Sequence, residues 1–330
     1  MKKTLFIPAA LAAFAFIGCN KNQVEPVKGP VETPKYTLSV SVPVTELKSM
    51  DVSYDDIVED VQILLFDQSG LLESYGHSET GGELRLQCTA GEKSVVALVN
   101  APDMSAISTR TELLGKSSDL LADNQVGRYV MEGEMPFSID GKEPSYKITV
   151  PVKRIVSKIY LGTVRLDYSV DHYEDKVFKI DAVYLINVAG NKNYLSSSEP
   201  SIWYNKLMAE ESGKNPLIYD KLSTSLLVVE GTSYAEIHNF FCYPNPSADS
   251  SELMWSPRST RFVVEATLDG QKYYYPVTMP AIEQNKKYKV NLIIRRPGSS
   301  SPDVPVQTYW GDSSVDVLDW DETITVDKEL

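Results

Sequence analysis

The chain has 330 residues and a formal net charge of −13. That balance argues against binding to nucleic acid or anionic lipid, because both need concentrated Lys and Arg. Tyrosine is abundant at 19 residues and histidine scarce at 3, a composition common in exported β-proteins and thin for catalysis. The 3 cysteines make no disulfide framework.

Lys2 and Lys3 form a basic n-region, and Leu5 to Phe16 an apolar h-region too short to anchor stably across a bilayer. The stretch stops at Phe16-Ile17-Gly18-Cys19, which resembles a bacterial lipobox. Residues 1–18 then read as a lipoprotein signal peptide, and Cys19 as the acylated residue that tethers the chain to the outer membrane. One acyl chain holds a protein only marginally, whereas two or three hold it firmly. The alternative is an ordinary secretory signal that happens to end at Gly-Cys. Without the signal about 310 residues remain, enough for two domains with a core in each. No later apolar run approaches the length of a membrane span.

Residues 19–35 are polar, proline-rich and aperiodic, and read as an extended tether. Strand patterns follow. Tyr36, Leu38, Val40 and Val42 alternate with polar residues; Val61 to Asp67 is a buried strand closed by a turn at Gln68-Ser69-Gly70. Leu84, Leu86 and Cys88 alternate, Ser94 to Asn100 follows across Ala90-Gly91, and Tyr146, Ile148, Val150 and Val152 alternate again. Apolar residues recur at helical spacing only between Asp103 and Asp123 and in the short run Ser201 to Glu210 around Trp203. In the second half, Phe262 to Leu268 and Tyr273 to Val277 flank Asp269-Gly270, residues tolerant of positive φ, which predicts a hairpin. Tyr288 to Arg296 forms the next strand, and after the loop Pro297 to Pro305 the tail carries Val315, Val317, Trp320, Ile324 and Val326. Many short strands and few helices predict a mainly β protein of two β-sandwich domains with a few short surface helices. The domains are expected at 36–168 and 169–330, meeting near Leu166 to Asp171. Cys88 and Cys242 then fall in different domains and read as two buried thiols, with pairing in an oxidising periplasm as the alternative.

Catalytic and metal-binding patterns are missing from the sequence. There is no HExxH, GxSxG, P-loop or GxGxxG after a strand. His77, His172 and His238 are far apart, and none has a second His or Cys at metal-ligand spacing. Asp319 and Asp321 flank Trp320 as paired glycosidase carboxylates do, but an acidic, solvated strand face is the commoner meaning. No catalytic residue, metal or cofactor is assigned.

Several segments together resemble the bacteroidete fimbrillins, the lipoprotein pilins of type V pili. They are the export motif ending at Cys19, Asp55 to Gly70, Val95 to Pro102, Val150 to Leu161, Tyr273 to Pro276, Asn285 to Pro305 and Val315 to Trp320, in the family's order. The resemblance covers nearly the whole chain after the signal. It implies two transthyretin-like (Ig-like Greek-key) sandwiches and a structural role, with other fimbrial subunits as partners and no enzyme activity. It also implies export as a lipoprotein and cleavage by an arginine-specific protease after the first strand. A neighbour's terminal strand then fills the opened groove.

Here residues 36–48 match the removable strand, but the following loop holds no arginine. Lys48 is its only basic residue, and the first arginine is Arg85. Cleavage after Lys48, or none at all, are the two expectations, so stalk, tip and anchor roles stay open. The donor is expected in residues 304–330, with Val315, Val317, Ile324 and Val326 at period-two spacing. Two competing readings are a surface lipoprotein that binds glycans through aromatic residues, and an exported hydrolase using Asp319 or Asp321.

Overall fold

The computed structural model describes residues 34–42, 57–169, 171–173, 175–209, 214–229, 233–234, 238–249, 255–304 and 311–320. The first half supplies β1 (Tyr36–Ser41), β2 (Val61–Asp67), β3 (Leu72–Ser78), β4 (Leu84–Cys88), β5 (Gly91–Val99), β6 (Ser117–Asp119), β7 (Met131–Ile139), β8 (Ser145–Thr149) and β9 (Lys153–Arg154). Two short helices, α1 (Arg110–Leu114) and α2 (Leu120–Asp123), flank β6. The second half begins with β10 (Ser157–Leu166), β11 (Phe178–Ile186), β12 (Val188–Ala189), β13 (Asn191–Asn193) and β14 (Trp203–Tyr204). It continues with β15 (Tyr219–Val228), β16 (Ser233–Tyr234), β17 (Asn239–Cys242), β18 (Arg261–Leu268), β19 (Gln271–Thr278), β20 (Lys286–Ile294) and β21 (Gly311–Asp319).

A three-stranded sheet, β4-β1-β8, packs on a five-stranded sheet, β3-β2-β5-β7-β9. Leu38, Val40, Leu86 and Ile148 from the first meet Ile63, Leu65, Val95 and Ala97 from the second in one core. The opposite face of the five-stranded sheet presents Leu64, Phe66, Val96 and Leu98 to a larger core. Burial on both faces explains why β2 reads as an unbroken apolar run rather than an alternation. That larger core passes beneath Leu113 and Leu120 and fills the second sandwich, between the sheet containing β10, β20 and β21 and the sheet β15-β11-β18-β19. β10 precedes the expected boundary at 168/169, yet it pairs with β17 and, in parallel, with β20 of the second half.

Local chemistry fixes several ends. Thr109 and Glu112 form a capping box at α1, each side chain accepting a backbone N–H of the other's end. Asp269 and Gly270 take φ of 51° and 80° in the β18–β19 hairpin, as the dipeptide predicts. The helical region expected between Asp103 and Asp123 resolves into α1 and α2 with a strand between them.

No helix forms around Trp203. β14 is followed by Asn205 and Leu207 with φ of 49° and 65°, and the buried Asn205 amide donates to the Leu185 carbonyl. β3 carries no alternation in sequence, and in β7 the alternation of Met131, Met135, Phe137 and Ile139 with Glu132, Glu134 and Ser138 is interrupted by Gly133 and Pro136. In β3 a Cβ on Gly76 would lie 2.8 Å from the Leu86 side chain, and in β7 one on Gly133 would lie 2.0 Å from the Pro151 carbonyl oxygen. Close approach, rather than propensity, places those glycines in strands.

Candidate strand-acceptor site

β1 is the first strand among the described residues and the middle strand of its sheet. It pairs antiparallel with β4, Tyr36 opposite Cys88 through Val40 opposite Leu84. It pairs in parallel with β8, Thr37 opposite Ser145 through Ser41 opposite Thr149. The strand that the sequence marks as removable is thus central and not at an edge: alternation defines the buried face of a strand but not the number of its neighbours. Leu38 and Val40 are wholly buried and Val42 nearly so. Each contributes roughly 1.5–3 kcal/mol by burial.

Further bonds seal the strand. The Thr37 amide donates to Pro144 at 3.1 Å and the Val150 amide to Ser41 at 2.9 Å. The buried Cys88 thiol donates to the Tyr36 carbonyl at 3.5 Å, and burial pushes its pKa up. Cys242 is likewise free and buried, so the two cysteines form no disulfide.

Over the outward face of β1 lies a charged strap. Lys147 of β8 sits opposite Ser39 on one side and Arg85 of β4 on the other. Glu83 binds Lys147 at 3.0 Å and Arg85 at 3.5 Å. The Lys147 ammonium, then Ser39, holds the Glu83 carboxyl below its usual range. Both basic side chains are more than three-quarters exposed, so the strap adds little stability. Side-chain burial and backbone bonding retain β1, and residues 43–56 are its one covalent link to the strands that follow.

At the other end of the chain, β21 is an edge strand paired antiparallel with β20, Gly311 opposite Ile294 through Asp319 opposite Lys286. Val315 is half-buried against the large core and Val317 is 50% exposed. Trp320, immediately after, is buried between Tyr129 at 6.1 Å and Phe241 at 6.0 Å, with the Arg154 guanidinium 4.7 Å from its ring centre. Cys19, Lys48, Asp321, Ile324 and Val326 lie outside the described residues.

His238 is buried just before β17 and bonds Tyr234 at 2.8 Å and Asp220 at 2.6 Å. Asp319 pairs with Lys286. Among the described residues no three His, Cys, Asp or Glu side chains gather to hold a metal.

No family model matches the chain. Its sequence is 21% identical to the major fimbrium subunit FimA type-2 of Porphyromonas gingivalis, covering 93% of this chain and 94% of the relative. FimA type-3 of the same organism is 22% identical over the same shares. The fold matches a crystal structure of a Porphyromonas gingivalis W83 fimbrilin with a TM-score of 0.60 at 15% identity, covering 88% of this chain and 98% of that one. Sequence and fold agree with the fimbrillin family. The same fold occurs in a Bacteroides eggerthii protein assigned to cell adhesion, with a TM-score of 0.68 at 16% identity over 88% and 98% of the two chains. It occurs also in the tip fimbrial protein Mfa3 of Porphyromonas gingivalis with a C-terminal truncation, with a TM-score of 0.53 at 12% identity over 87% and 100%.

Proposed function

We propose that this chain is a structural, non-enzymatic pilin of a type V fimbrium, exported through the periplasm as a Cys19 lipoprotein. It assembles on the cell surface by strand exchange with other fimbrial subunits and supports adhesion and biofilm formation. The observation that carries this reading is the position of β1, a central strand paired on both sides and joined covalently to the strands that follow only through residues 43–56. Cleavage after Lys48 converts β1 into a separate segment that leaves with the lipid anchor. What remains is a groove between β4 and β8, floored by the apolar residues that now contact Leu38 and Val40.

The occupant is the tail of a neighbouring subunit. Thr323-Ile324-Thr325-Val326 repeats the pattern of Thr37-Leu38-Ser39-Val40, so Ile324 and Val326 can take the places of Leu38 and Val40. Such a strand would run parallel to β8 and antiparallel to β4. Val315 and Val317, also assigned to the donor, pair with β20 in their own subunit here, which makes β21 the base from which the tail extends.

N-terminal sequencing of subunits from purified surface filaments tests the reading. Ser49 is the expected first residue, and a lipidated Cys19 in the filaments would overturn it. Lys48→Ala is expected to block maturation, seen as persistence of the longer form on denaturing gels. Cys19→Ala should lose the lipid label and strand the protein in the periplasm; unchanged labelling and surface display would sink the lipoprotein assignment.

A further inference from the structure

The side chains that β1 turns into its core set the shape that any replacement strand must have. Leu38 and Val40 are wholly buried, Val42 nearly so and Tyr36 half-buried. The inward face therefore runs aromatic, aliphatic, aliphatic, aliphatic at period two. Tyr36 closes one end of this row. Its ring meets Tyr146 of β8 in a T-shaped contact, with centres 6.2 Å apart and planes at 74°. Tyr146 meets Phe137 of β7 in the same way, at 6.1 Å and 76°.

The turn between β7 and β8 is shaped around the Tyr36 ring. Gly141 has φ of 75°, and a Cβ there would lie 2.9 Å from the Tyr36 hydroxyl oxygen. Tyr146 donates to Asp140 at 2.6 Å and accepts from the Glu143 amide at 3.2 Å. These bonds hold the walls in place without help from Tyr36. Departure of β1 thus leaves an aromatic-walled slot at the mouth of the groove, beside the buried Cys88.

The chain's own tail does not fill that slot. Setting Thr323 to Val326 on Thr37 to Val40 puts Glu322 in the place of Tyr36 and Lys328 in the place of Val42. A lysine at the far end can lay its stem along the groove and keep its ammonium in water. Glu322 is worse placed. Its carboxylate would enter beside Asp140, whose own carboxyl the Tyr146 hydroxyl, then the Lys142 ammonium, holds down to about 2. The Tyr146 hydroxyl is committed to Asp140, and the two carboxylates would share one exposed lysine, Lys142, now 2.9 Å from Asp140.

From this mismatch we propose that the groove takes the tail of a different fimbrial subunit in preference to a second copy of this chain. The preferred donor carries an aromatic residue at its first inward position and aliphatic residues at the next three. A ring in that place restores the T-shaped contact with Tyr146 that aromatic pairs favour. Selection falls on the end slot, because the two central places suit Ile324 and Val326 as well as Leu38 and Val40. The inference rests on the strand-exchange reading and names the partner for the same groove.

The test is strand displacement in the full-length chain after signal removal, with Cys19→Ala and a protease site placed within residues 43–56. The cut leaves β1 in its sheet by pairing alone, with a fluorophore on its N-terminal amine, and anisotropy reads its release by added peptides. A peptide of residues 319–330 with Glu322→Tyr is expected to displace β1 at about one-tenth of the concentration that the natural tail needs, or less. Asp321→Tyr, on the outward face, should gain nothing. In the acceptor, Tyr146→Leu should erase the advantage and Tyr146→Phe keep it, with thermal unfolding of the uncut chains as the check on folding. Equal potency of the natural and Glu322→Tyr peptides, while a copy of residues 35–44 displaces β1, overturns the inference and leaves strand exchange standing. A gain of the same size from Asp321→Tyr, or one that survives Tyr146→Leu, overturns it as well. Should no peptide release β1, not even its own copy, the strand-exchange reading fails and takes the inference with it.

Discussion

Leu38→Ala is expected to destabilise the uncut chain by about 2–5 kcal/mol, the range for truncating a large buried side chain where the cavity cannot collapse. Leu38 has no exposed surface and lies between strands on both sides, with Ile63, Leu65 and Ala97 in the facing sheet of the same core. Little can move into the space it leaves. Urea denaturation of the precursor, read by circular dichroism, measures the loss. The strand-exchange reading adds a sharper outcome: once β1 has been removed, the same substitution should leave the stability of assembled filaments unchanged. Filaments weakened in proportion to the precursor would show that β1 stays in place after assembly, and would end the acceptor-groove assignment.

Removal of residues 322–330 should give a folded monomer that forms no filaments, whereas Trp320→Ala should damage the fold itself by about 3–5 kcal/mol. The contrast follows from what each change touches. Trp320 is packed by Tyr129 and Phe241 and covered by Arg154, a residue of β9, so it fastens the end of β21 against Tyr129 and Arg154 of the first half and Phe241 of the second. The residues beyond it include Ile324 and Val326, which the proposal assigns to a neighbour's groove. Equilibrium unfolding and electron microscopy of negatively stained filaments together separate the two. Normal filaments from the shortened chain would refute the donor role, and an unfolded shortened chain would show that the tail belongs to its own domain.

Much of the local architecture is legible in the sequence. The alternation of Leu38, Val40 and Val42 places these residues on one buried face, and Asp269-Gly270 marks a two-residue hairpin through its tolerance of positive φ. Of the strands that escape a sequence reading, β3 is rich in polar residues without alternation, and β7 has its alternation broken by Gly133 and Pro136; each holds a glycine at a close approach to another segment. The run around Trp203 has helical spacing but contains Asn205 and Leu207 at positive φ, which a helix cannot absorb. The tyrosines packed together on one face of the sheet β15-β11-β18-β19 give only a compositional sign, the total of 19. Tyr184, Tyr219 and Tyr274 come from three different strands and are not periodic with one another.

The sequence by itself determined the β class and which side of most strands faces a core, because side-chain alternation and turn chemistry are local properties. Only the tertiary structure decided which strands are neighbours. Backbone hydrogen bonding is nearly the same for every residue, so a strand's pattern names its buried face without naming its partners. Hence the central place of β1 between β4 and β8, the parallel pairing of β10 with β20, and the irregularity of β11 between Ile180 and Ala182 could be read only from the folded chain.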